Sequence, residues 1–296
     1  MKRRLFDLPY LLLTLTALFW SGNFIVARAV HLDVPPLGLV FWRWLGALII
    51  VLPFAWRPLA ADWPVIRHQW RIILALAIIG VASFNTLVYL GLQTTTALNA
   101  VLLQSAIPIC IFIFAFIMFR DTVRPLQALG IALSFAGIIA ILARGDLTAI
   151  HGLAFNRGDL LVFAAVVCWA VYSILLRKRP SLHPLSFLTV TIIVSVVVLA
   201  PLYAWEISSG RVTHFDRTTV LAVGYMAIFP SVLAYLFYNR GVDLIGANRA
   251  GTFIHLMPLF GSIMAILFLG ETFQLYHAVG IVLILGGLML AARQRG

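Results

Sequence analysis

Apolar stretches about 20 residues long follow one another down the whole chain, broken only by short segments carrying charge, proline or glycine. As a helix, such a stretch matches the ~30 Å hydrocarbon core of a bilayer. Reading apolar runs against breakers gives ten spans. The first five lie near 8–29, 36–56, 70–91, 97–119 and 125–143, and the second five near 158–176, 183–205, 217–240, 247–269 and 275–292. In lipid each backbone must satisfy its own hydrogen bonds, so each span is predicted to be a helix. The expected fold class is therefore all-α, a polytopic membrane protein with ten transmembrane helices. Of the 296 residues 62% are hydrophobic and 10% charged, too little polar material to cover a water-facing surface. A soluble enzyme, a disordered chain and a secreted disulfide scaffold are excluded. The longest connections, near 57–69 and 144–157, cannot hold a soluble domain, which leaves the membrane as the place for any activity.

The net charge of +11 suggests a nucleic-acid partner, but the basic residues sit in short clusters between apolar blocks and form no stripe, so none is expected. Their distribution follows topology instead. With the N-terminus inside, the inner segments carry fifteen of the 21 Lys and Arg residues, from Lys2-Arg3-Arg4 through Arg177-Lys178-Arg179 to Arg293 and Arg295. The outer segments carry Arg28, Arg144, Arg157, Arg211 and Arg217, and Arg43 lies within a span. Both termini are expected on the cytoplasmic side. The start resembles a signal peptide, with Ala27-Arg28-Ala29 as a cleavage site. The apolar run continues to about residue 29 and has a counterpart later in the chain, so it is read as a retained span. Cys110 and Cys168 fall inside apolar blocks, form no metal motif and are expected to be buried core thiols.

The chain also repeats itself. Shifted by 150 residues, Pro108 overlays Pro258, Asp121-Thr122 overlays Glu271-Thr272, Gly130 overlays Gly280 and Gly137 overlays Gly287. At an offset of 149, Trp20 overlays Trp169 and Asn99 overlays Asn248. This divides the chain into repeats at 1–144 and 145–296. With five spans each, an odd number, the two halves enter the membrane from opposite sides. Such inverted repeats serve alternating access in secondary transporters, with the substrate held near the midplane between them.

Two five-span units, each with an Asn near the start of its fourth span, a mid-span Pro and a terminus such as Leu269-Gly270-Glu271-Thr272, resemble the EamA-type drug/metabolite transporter superfamily. The first half departs from the pattern, with Arg120-Asp121 in place of Gly-Glu. Within the superfamily the chain is most similar to bacterial amino-acid and aromatic-compound exporters of the YddG type. The resemblance implies a transporter of the bacterial inner membrane.

Helices interrupted at matching positions of the two halves point to the substrate site. Pro108 with Pro258, and Gly80 with Pro230, form two such pairs. Around them, polar and aromatic residues recur at helical spacing. Asn85 and Tyr89 match Tyr235 and Asn239, Trp20 and Asn23 match Trp169 and Tyr172, and Ser105 matches His255. These ten are the candidate substrate-binding residues, because polar side chains facing lipid are costly and aromatic rings with a polar edge suit an amphipathic guest. The alternative for each is helix–helix bonding or an interfacial aromatic belt. For Asn99 and Asn248, near the span starts, helix capping or interhelical bonding is preferred, and Tyr238 fits either role. Arg43 could meet a substrate carboxylate or bond within the helix bundle. No carboxylate lies at mid-membrane depth, so no driving proton site can be read.

The small-residue ladder Ala128, Ala132, Ala136, Ala140, with Gly280, Gly286 and Gly287, is expected to form a packing seam. Ten spans can enclose a cavity alone, so a monomer suffices and a dimer is left open. The partners expected are a small-molecule substrate and the lipid bilayer. No cofactor or metal is expected, and no H-E-x-x-H, G-x-S-x-G or intramembrane Asp pair suggests an enzyme. The leading function is export of small amphipathic metabolites, amino acids including aromatic ones. Multidrug or toxic-cation efflux is the alternative, ahead of a channel or an embedded enzyme.

Overall fold

The structure is a computed structural model that describes residues 5–119, 125–146, 156–245 and 253–292. The described residues are helical, with no strand among them. The helices are α1 (Pro9–Ala29), α2 (Pro36–His68), α3 (Trp70–Gly91), α4 (Ala97–Leu103, a 3-10 turn Gln104–Ala106, then Ile107–Phe119) and α5 (Pro125–Leu142). They continue as α6 (Arg157–Lys178), α7 (Pro184–Ser208), α8 (Arg217–Ile245), α9 (a 3-10 turn Phe253–His255, then Leu256–Leu269) and α10 (Leu275–Ala292). Among the described residues, six helices are long and apolar enough to cross a membrane, and the rest are shorter apolar helices. Proline opens α1, α2, α5 and α7, where its missing N–H costs nothing. Asn156 and Asp216 cap α6 and α8 through side-chain oxygens. Hydrogen bonds from the Thr219 backbone N–H and side chain hold the exposed Asp216 carboxyl below its ordinary range.

One connection is corrected. Residues 57–68, expected to lie outside the second span, continue α2 as helix despite Pro53, Pro58 and Pro64. At 33 residues α2 is about 50 Å long, more than the ~30 Å core, so its last turns leave the hydrocarbon. Trp56, Trp63 and Trp70, spaced seven apart, are all exposed there, which suits the headgroup layer.

The expected interruptions are present. Gly80 lies in a π turn, Ala77–Ser83, and Pro230 in another, Phe229–Leu233. Pro108 and Pro258 each follow shortly after the 3-10 turns of α4 and α9. These turns release carbonyls that neighbouring helices take up: Trp20 Nε1 donates to Pro230 O (3.1 Å) and Ser195 Oγ to Ala77 O (3.3 Å).

Helices of the two halves pack antiparallel. Gly137 sits against Gly280 and Gly287 against Gly130, and Ser134 Oγ donates to Ile284 O (3.0 Å), joining α5 to α10. Glu206 near the end of α7 accepts from Leu37 N (3.2 Å) and Gly38 N (2.7 Å) at the start of α2. At the opposite end Asp62 accepts from His183 N (2.8 Å) just before α7. Carboxylates thus cap helix N-termini across the halves, satisfying orphan donors. Glu271 does the same for Ala97 and Leu98 at the start of α4, both at 2.8 Å.

The packing seam is a second correction. Ala128, Ala132 and Ala136 are exposed, and the contact runs through Gly130, Ser134, Gly137 and Ile141. A serine hydroxyl needs a partner in lipid whereas alanine does not, so the stripe containing Ser134 turns inward. Gly280 and Gly287 belong to the seam, while nothing packs within 4 Å of a Cβ at Gly286. Of the two cysteines, Cys110 is buried, but Cys168 is only half-buried.

Candidate functional site

A cavity of about 550 Å³ lies between the halves, lined mainly by α4, α6, α7, α8 and α9. Trp44 and Val81 contribute to one end, and the exposed Arg179, Pro184 and Asp243 to the other. The cavity therefore reaches the surface where α6 and α8 end and α7 begins.

Six of the ten candidate residues line it: Trp20, Ser105, Trp169, Tyr172, Tyr235 and Asn239. Their rings form two aromatic groups. Trp20 lies 5.7 Å from Tyr235 and 5.5 Å from Tyr238, and Trp169 lies 5.2 Å from Tyr172 and 4.8 Å from Phe84, centroid to centroid. Tyr238 is thereby placed in the wall as well. Gly80 permits this packing, because a Cβ there would overlap the Tyr172 ring. Among the described residues, the Tyr172, Tyr235 and Asn239 side chains make no hydrogen bond, leaving their polar edges available to a solute.

Asn23, Asn85 and Tyr89 do not line the cavity. Asn23 lies three residues beyond Trp20 on α1, and Asn85 and Tyr89 lie four and eight beyond Val81 on α3, all gathered around Arg43. Arg43 Nη1 is bonded to Asn23 Oδ1 (3.0 Å), Asn85 Oδ1 (2.7 Å) and Tyr89 OH (2.6 Å), and Nε donates to Ser231 Oγ (2.7 Å). Tyr89 OH donates in turn to Asn23 Oδ1 (2.6 Å). The guanidinium lies over the Trp44 ring, 4.6 Å from its centroid. Arg43 is 3% exposed and has no carboxylate partner among the described residues. Neutral oxygens and an aromatic face replace the water around its charge. The His255 side chain, like the whole of Asn248, is outside the described residues.

Beyond this network a second layer closes the same end. Asp159, wholly buried at the start of α6, accepts from Thr95 Oγ1, Asn99 Nδ2 (3.2 Å) and Arg144 Nη2 (3.3 Å). Asn99 Oδ1 lies 2.8 Å from His277 Nε2, and because His277 Nδ1 accepts from Gln274 N (2.9 Å), Nε2 carries the proton in the neutral ring. Asn99 thus bonds between helices, as expected.

The sequence reading missed Thr191, Gln104, Arg179 and Asp243 in the wall. Thr191 had a signal: it stands seven residues after the proline opening α7, as Arg43 stands seven after the proline opening α2. Asp159 was missed because a carboxylate at a helix start reads as a solvated cap.

Stacked apolar helices around a solute-sized cavity make this a polytopic membrane protein with room for a small solute between its halves. Residues 7–143 and again 156–293 match the EamA-like transporter family, and the chain belongs to it. It is a membrane-embedded transporter of the drug/metabolite kind, and members of this family are not enzymes. Similar proteins include the uncharacterized transporter YyaM of Bacillus subtilis strain 168, 28% identical over 96% of this chain and 93% of that protein. An uncharacterized transporter of Archaeoglobus fulgidus is 28% identical over 97% and 98%. A Salmonella typhimurium protein named probable amino-acid metabolite efflux pump is 26% identical over 93% and 92%. A crystal structure 18% identical in sequence superposes with a TM-score of 0.64 over 97% of this chain and 99% of the other, which carries the fold alone.

Proposed function

We propose that the protein is a secondary transporter exporting small amphipathic metabolites, amino acids including aromatic ones, by alternating access. The repeats 1–144 and 145–296 are related by inverted topology, supported by the antiparallel packing of matching helices. The observation that carries the reading is the asymmetry of the cavity: aromatic, with unpaired polar edges, it reaches the surface at one end and is closed by two polar layers at the other. With both termini cytoplasmic, as the Lys and Arg bias implies, in the bacterial inner membrane that the family resemblance implies, this is the inward-open state. The amino-acid assignment draws on the efflux-pump relative. All ten candidate residues belong to the proposed pathway: Trp20, Ser105, Trp169, Tyr172, Tyr235, Asn239 and His255 around the solute, and Asn23, Asn85 and Tyr89 in the closure.

The test is counterflow of labelled amino acids in liposomes holding the purified protein. Saturable exchange that is faster with unlabelled solute on the far side supports a carrier. Linear flux without exchange would mean a channel and end the alternating-access reading. A second reading, toxic-cation efflux, is favoured by the aromatic rings, which can hold a cation by its charge. Against it, Asp243 at the mouth is the one acidic residue lining the cavity among the described residues.

A further inference from the structure

We infer that Arg43 is the anchor for a carboxylate on the transported solute and thereby sets its chemical class. This rests on the transport reading above. The hydrogen bonds of the guanidinium are divided unevenly. Nη1 is held by Asn23, Asn85 and Tyr89, all from the first half of the chain. The opposite edge, Nε with Nη2, carries one bond among the described residues, from Nε to the Ser231 hydroxyl in the π turn of α8. That edge is the one a carboxylate engages with two parallel bonds. The two Nη1 hydrogens, shared among three oxygens, thus fix the orientation of the plane, while the recognition edge holds one exchangeable neutral acceptor from the other half.

A second observation points the same way. The Trp44 indole N–H, enclosed in the cavity wall, has no acceptor among the described residues. Donors outnumber acceptors here, and among the described residues no acidic side chain balances the guanidinium. A buried cation without a counterion is costly unless an anion joins it. When the closed end parts, Ser231 leaves with α8 and the Nε/Nη2 edge is bared toward the cavity. A solute with a carboxylate and an aromatic or aliphatic body then has its charge on Arg43 and its body among Trp20, Trp169 and Tyr172.

The test uses counterflow into liposomes holding the full-length protein, with three labelled probes: L-phenylalanine, 3-phenylpropionate and phenethylamine. The expected result is exchange of the two carboxylates at least about tenfold faster than of the amine, the discrimination a charge-assisted bidentate pair provides. Arg43→Lys keeps the charge but loses the two-pronged edge, and is expected to raise the KM for both carboxylates about tenfold. Should that variant not fold, Ser231→Ala serves instead: freeing Nε is expected to lower the KM for 3-phenylpropionate about threefold without helping phenethylamine. Exchange of phenethylamine as fast as the carboxylates overturns the anchor while leaving transport intact. So does a folded Arg43→Lys variant that alters all three probes alike. Exchange of none of the three overturns the aromatic-metabolite reading, and the anchor with it.

Discussion

Asn23, Arg43, Asn85 and Tyr89 are bonded to one another at the buried end of the molecule, whereas Tyr172, Thr191, Tyr235 and Asn239 line an aromatic cavity that reaches the surface. The two sets occupy matching positions in the two halves, at offsets of 148 to 150 residues. In the first set a single guanidinium draws the oxygens together. In the second, Thr191 turns its hydroxyl back to Phe187 O and Leu188 O (both 2.9 Å), and among the described residues no hydrogen bond ties its neighbours to each other. The difference teaches that a duplicated framework takes on its polarity from one long, multiply donating side chain. Hydrogen bonding is cohesive in one set and, among the described residues, absent between the side chains of the other.

Removing the cohesion gives the largest expected effect. Arg43→Ala strands several buried oxygens, and is expected to abolish transport and lower stability by about 2 kcal/mol or more, read as a fall in melting temperature in detergent. An unchanged melting temperature would break the comparison. Within the open set, Trp169→Ala is expected to cut transport about tenfold, ~1.4 kcal/mol, through KM while membrane insertion stays normal. Accessibility sharpens the contrast further. With Cys110 and Cys168 replaced, Asn239→Cys is expected to react with a water-soluble thiol reagent several times faster than Asn85→Cys, which the network shields. Gly80→Ala forces the Tyr172 ring aside at a cost of about 1–3 kcal/mol for overpacking, and a several-fold loss of transport is the expected reading. Tyr238→Phe removes a hydroxyl that has no bond among the described residues, so flux within about twofold of the parent is expected.

Much of the fold was legible because lipid imposes a length and a hydrogen-bonding rule on every span. The helices appear near their expected places, and Gly80, Pro230, Pro108 and Pro258 mark real interruptions, since a missing side chain or N–H acts locally. The extension of α2 through Pro53, Pro58 and Pro64 was not legible. Whether a helix survives its prolines depends on what it packs against, and α2 lies along α7 with Asp62 bonded to the start of that helix. The alanine ladder misled because periodicity gives a face without saying where the face looks. The inner stripe was decided by the partner waiting for Ser134 on α10.

The candidate site divides along the same line. Spacing placed Trp20 with Asn23 and Asn85 with Tyr89 on shared faces, yet only packing assigned Trp20 to the cavity and the other three to the closed end. Arg43 could be read either way from its sequence context, because a guanidinium's role depends on which oxygens come within 3 Å. Those oxygens come from Asn23, Asn85, Tyr89 and Ser231, up to 188 residues distant in the chain.

The order of residues alone determined that this chain lives in a bilayer, that it is all helix and that it is built twice over, because hydropathy and repetition are carried by each segment by itself. The tertiary structure decided which of two equivalent polar sets closes and which stays open. Hydrogen bonds between helices act over a few ångströms and exist only once distant segments have met.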